Sequence, residues 1–206
     1  MRRIFCSGVI AAMAIVGGGT GAAQQAAAPN NDQLDITAFA VNMSNIATGA
    51  HAVIEIKVDS WSSPEERQKL LATATEKNMD ALLRELQNSK SHGRFSIPGL
   101  VGPDPQNLRL GHDIRFAWQT IEPDGGRRIV LAPDRYIGFS EARSQPRTID
   151  YPFTLFEIRV NKAGEGEGKL AVATKITFNK RTNTMELENY SSEPVRLNNV
   201  RVKVRS

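Results

Sequence analysis

Three histidines, His51, His92 and His112, are the side chains able to exchange a proton near neutral pH or to offer a nitrogen to a soft metal. No two of them stand at H-x-H or H-x-x-x-H spacing, so the sequence gives no metal cluster. His112 opens an alternating stretch and shares the parity of Ile114 and Phe116. It reads as a hydrogen-bonded structural histidine, with ligand contact as its functional alternative. His51 and His92 stand at element ends and read as surface residues. His112 and Asp113 are neighbours in a strand and point to opposite faces, so they do not make two-thirds of a catalytic triad. There is no G-x-S-x-G elbow, and Cys6 is the only cysteine. No catalytic residue, metal or cofactor is therefore expected.

The remaining candidates are binding groups. Trp61 stands just before a helix cap, where it suits a pocket mouth, whereas Trp118 falls on an apolar parity and reads as core. Trp61, His112 and Trp118 together are the expected lining of an interior ligand site. Arg201, Lys203 and Arg205 alternate with valines in the last stretch, where they suit either an anionic partner or the protection of an edge strand from aggregation. Glu165 and Glu167 lie in a glycine-rich segment that reads as a solvated turn rather than a calcium loop. Gly125-Gly126-Arg127-Arg128 lacks a phosphate-loop lysine and reads as a turn entering a strand.

The elements that must position these groups are mostly strands. Period-two alternation with β-branched residues marks Ala52–Asp59, His112–Ile121, Phe153–Val160, Lys169–Asn179 and Thr184–Glu188. Pro123-Asp124-Gly125-Gly126 and the glycine-rich run from Gly164 to Gly168 supply tight reversals, predicting consecutive antiparallel hairpins from Gly111 onward. In the last strand the inward parity changes between Leu197 and Val200, which requires a bulge at Asn198-Asn199. Ser63-Pro64-Glu65-Glu66 carries a capping box and starts a helix to about Lys77. A second helix follows, with Asp80 as its cap and Met79, Leu82, Leu83 and Leu86 on one stripe. The pattern predicts an antiparallel β-barrel or curled sandwich with a helical pair inserted after the second strand.

The N-terminus reads as an export signal. Arg2 and Arg3 precede an apolar run from Ile4 to Val16, too short to span a bilayer, and Gly21-Ala22-Ala23 offers small residues for cleavage after Ala23. The expected organisation is a signal peptide over 1–23, a flexible leader over 24–35 and a single β-rich domain over 36–206. Cys6 would leave with the signal, so the exported chain would depend on its core rather than on disulfides. The whole chain carries a net charge of +4, two units of which sit on Arg2 and Arg3, and acidic residues are interspersed throughout. Nucleic acid is a poor fit to that distribution, and no permanent membrane anchor is expected.

Tyr151-Pro152-Phe153-Thr154, the run from Gly164 to Gly168, Glu188-Asn189-Tyr190 and Pro194-Val195-Arg196-Leu197 resemble a group of uncharacterised exported bacterial β-rich proteins, a domain of unknown function, over residues 125–206. The resemblance implies export to the periplasm or beyond and a compact β domain, and it transfers no site residue. The leading expectation is a non-enzymatic binding protein holding a small apolar or amphipathic ligand within a barrel. The alternative is an envelope module that binds a protein or anionic polymer through its charged outer face, and a hydrolase comes third. Oligomeric state is not legible.

Overall fold

The computed structural model describes residues 31–43, 49–76, 79–99, 108–135, 153–179, 184–189 and 195–205. The signal peptide, Cys6, most of the leader, and Tyr151-Pro152, Tyr190 and Pro194 lie outside the described residues. Strand β1 (Gln33–Val41) already begins inside the stretch read as leader, because Leu34 is fully buried and Gln33 pairs with Arg205. Then come β2 (His51–Val58), α1 (Pro64–Glu76), α2 (Met79–Asn88), β3 (Gly93–Ser96) and β4 (His112–Ile121). The second half adds β5 (Arg127–Pro133), β6 (Phe153–Val160), β7 (Glu165–Asn179), β8 (Thr184–Asn189) and β9 (Val195–Arg205).

Every pairing is antiparallel. Each strand from β1 to β7 pairs with the next, β7 also pairs with β9, and β9 pairs with β1, which closes an eight-stranded barrel. The two helices are inserted after β2. The hairpin succession breaks once: β8 pairs with the second half of β7, and β9 returns to the first half. Gly166 and Gly168, expected in a turn, are strand residues of β7. A Cβ on Gly166 would lie 2.0 Å from the carbonyl oxygen of Arg159, so only glycine permits this close approach of strands. The reversal itself is made at Asn161–Gly164, where Gly164 has φ +80° and the Asn161 side chain accepts from the amides of Ala163 and Glu165.

Two bulges decide which residues face inward. In β9 the register shifts around Asn198-Asn199, Asn199 adopts φ 51°, and Leu197 and Val200 are both buried, as the change of parity requires. In β4 the register shifts between Ile114 and Phe116, so Ala117 and Gln119 turn inward while Phe116 and Trp118 turn outward. The inward set forms one apolar cluster, from Leu34 and Ile36 on β1 through Phe95 and Ile114 to Phe156, Leu170 and Leu197. Phe95 and Phe156 come from different sides of the barrel, and their ring centroids are 5.0 Å apart. An eight-stranded barrel is just wide enough for its own side chains or one small ligand, and here buried apolar side chains from the strands converge inside it.

The helices lie on the outside of the wall rather than over an end. The capping box is formed: the Glu66 amide donates to Ser63 Oγ at 3.2 Å, and the Ser63 amide donates to Glu66 Oε2 at 2.8 Å. Asp80 falls within the first turn of α2. Leu70 of α1 with Leu82 and Leu86 of α2 packs on Ala132 and Leu155, and Phe116, turned outward by the bulge, joins this second cluster.

Candidate functional site

The interior site expected from Trp61, His112 and Trp118 is not assembled. Trp61 is buried in the main cluster beyond the end of β2, with its indole N–H donating to the Asp32 carbonyl at 2.9 Å, so it plugs one end of the barrel instead of lining a mouth. Arg127 holds Asp32 from the other side at 2.9 Å and also reaches Gln119 Oε1. Trp118 is not core: the β4 bulge turns it outward and half-buries it under Arg67 of α1, whose guanidinium carbon lies 5.1 Å from the ring centroid. That cation–π contact contributes about 0.5–1 kcal/mol at an exposed site.

His112 is buried at the start of β4, as its parity predicts, within electrostatic reach of Asp134. Burial would raise the Asp134 carboxyl, but Arg135, Arg115 and His112 outweigh burial and hold it below the ordinary carboxylate range. Arg115 also donates to the Ser89 carbonyl at 2.8 Å, and Gln87 donates to the Asp134 carbonyl, so this ionic group fastens the end of α2 to the wall.

His92, expected at the surface, is fully buried. Its Nδ1 lies 3.0 Å from Ser60 Oγ, and its Nε2 points at Glu66 Oε2 across 3.4 Å. Desolvation pushes the imidazole below its ordinary value, against the pull of Glu66 and with the help of Lys90. Serine, histidine and carboxylate in this order invite comparison with a hydrolase triad. The surroundings argue for a latch. The amides of Asp59 and Ser60 are both spent on the His92 carbonyl, and Glu66 is already engaged in the helix cap. Ring and backbone together tie β2, β4 and the start of α1 at one point. Among the described residues no three of His, Cys, Asp and Glu come together to hold a metal ion.

Arg201, Lys203 and Arg205 stand beside carboxylates, and β9 is an inner strand of the closed wall rather than an edge, which removes the edge-protection reading. Arg201 meets Glu165 at 3.4 Å, Arg205 meets Asp59 at 2.7 Å and Asp35 at 3.8 Å, and Lys203 pairs in register with Asp35. Among the described residues, positive charge is in surplus around Glu157. This carboxylate, its side chain only 10% exposed, receives Arg128 at 3.1 Å, Arg159 at 3.1 Å and Lys169 at 3.0 Å. Burial would raise its pKa, but Lys169, Arg159 and Arg128 together hold it low.

Strand register extends this group into a strip. One outward row runs Trp118, Val130, Glu157, Lys169, Arg196, and the next runs Thr120, Arg128, Arg159, Glu167. With strands about 4.8 Å apart, the first row spans about 19 Å. The row on its other side contains Phe116, Ala132 and Leu155, on which α1 and α2 rest, so the helical pair borders the strip. Sequence reasoning missed this group because its members are spread from 118 to 196. One signal was available: reversal at Asn161–Gly164 places Glu157 opposite Lys169 and Arg159 opposite Glu167.

No family model matches the chain, and comparison with curated proteins and with solved structures finds no match either.

Proposed function

We propose that this protein is an exported, non-enzymatic binding module that engages an anionic envelope polymer through the outer wall of its barrel. The observation that carries the reading is the strip around Glu157, where three cations converge on one carboxylate and two of them remain about half exposed or more. A buried carboxylate that fixes three cations in place keeps them pre-ordered, so a polyanion meets them with little further loss of side-chain freedom. Outside the patch covered by the helices, the β5–β6–β7 wall carries ion pairs while the inside is apolar, the reverse of a membrane-spanning barrel. No described helix is long and apolar enough to cross a membrane.

The strip replaces two earlier expectations. The interior is lined by buried apolar side chains and Trp118 is turned out of it, which favours the outer face as the binding surface. On that face Arg201 and Arg205 are neutralised by neighbouring carboxylates, so the β5–β6–β7 portion carries the proposal. Export rests on the sequence of residues 1–23.

The test is retention of the mature protein on immobilised polyglutamate and polygalacturonate as a function of salt. Retention at low salt that weakens linearly on a log–log plot, and is lost when Arg128, Arg159 and Lys169 are all changed to Glu, is the expected result. Retention indifferent to that triple reversal would remove the proposal.

A further inference from the structure

A cationic wall alone accepts any polyanion, yet one end of this strip has an aromatic floor. The β4 bulge turns Trp118 outward into the same row as Glu157, Lys169 and Arg196, with Val130 between. Its ring is half-buried and met by the guanidinium of Arg67, an exposed residue on the first turns of α1. The helix therefore stands beside the strip as one wall, with Arg67 leaning over the ring.

Building on the reading above, we infer that the polymer is an acidic polysaccharide, one sugar ring of which replaces the Arg67 guanidinium over Trp118 while its carboxylates meet the cations of the strip. A sugar ring presents an apolar C–H face and a polar rim, which suits an indole flanked by cations; a polyglutamate or polyphosphate chain has no such flat apolar face. Arg67 keeps its charge when displaced and turns to the carboxylate of the stacked sugar.

Charge density points the same way. Arg67, Arg128, Arg159, Lys169 and Arg196 are opposed by Glu157 and Glu167, a surplus of three spread over the row. Duplex nucleic acid brings one negative charge about every 1.7 Å of its axis and would set several against the two carboxylates. A polysaccharide with one carboxylate per sugar is sparser and matches the mixed strip better.

The test compares mature wild-type protein with its Trp118→Leu and Arg67→Glu variants. Each is titrated with polygalacturonate oligosaccharides, polyglutamate, polyphosphate and single-stranded DNA at matched charge concentration and ionic strength, with indole emission as one readout. Trp61 is buried in the core and supplies a constant background. Polygalacturonate is expected to bind at least tenfold more tightly than polyglutamate or polyphosphate and to change the indole emission on its own. Trp118→Leu should erase that tenfold preference while leaving polyglutamate binding within twofold. Arg67→Glu, on an exposed helix position, should weaken polygalacturonate more than polyglutamate and serves equally if Trp118→Leu fails to fold. Equal binding of all four polymers, or tighter binding of DNA, would overturn the inference and leave the anionic-polymer reading standing. Failure to bind any of them would sink both.

Discussion

The inside of the barrel and the strip on its outer wall are built from the same strands, one residue out of step. On β6, Phe156 and Ile158 point into a dry cluster, while Glu157 and Arg159 between and beyond them form the ionic group outside. The inner set carries the fold because its apolar side chains are buried against one another. The outer set is held by charges that water could largely satisfy. A protein can spare such residues for recognition without losing its fold, and for that reason the proposed binding surface is the outer one.

The largest expected effect breaks the inner side. Phe156→Ala removes a fully buried ring that packs on Phe95 and should cost about 3–5 kcal/mol in chemical denaturation. If the interior instead housed a ligand, the loss would be far smaller and ligand-dependent. The next variant separates stability from binding at one position. Glu157→Gln should destabilise by about 1–2 kcal/mol, since three cations lose their shared partner, yet should tighten polyanion binding by adding a net positive charge. A parallel fall in both quantities would contradict that separation.

A smaller effect comes from the latch at His92. Its folded-state pKa is depressed, chiefly by burial, so its contribution is present above the ordinary histidine value and is lost as pH falls through the folded-state value. Denaturation midpoints should therefore decline on acidification from neutral pH, and His92→Gln should flatten that part of the profile. At the weakest end, Arg201→Ala and Lys203→Ala should change stability by no more than about 0.5 kcal/mol and polyanion affinity less than Arg128→Ala does. Greater sensitivity at Arg201 would move the binding surface toward β9.

Much of the fold was legible in the sequence. The bounds of β4 and β6 follow from alternation alone, and the β9 bulge announces itself because inward parity changes across Asn198-Asn199. The β4 bulge gives no such sign, since Ile114, Phe116 and Trp118 keep perfect alternation while the backbone between the first two slips; Trp118 is consequently misread as core. Gly166 and Gly168 look like turn residues until a neighbouring strand is known to approach them. His92 is hidden among polar neighbours, and its burial comes from three elements far apart in the chain. The strip required pairing as well as alternation, because Arg128 meets Glu157 only through the β5–β6 register.

Whether the barrel binds on its outside or its inside is tested most directly by native mass spectrometry of the protein isolated from the cells that make it, first at low and then at high salt. The account predicts the mass of the bare polypeptide at high salt, with any associated anionic polymer released. A small apolar molecule retained stoichiometrically through the salt wash and freed only on unfolding would contradict it.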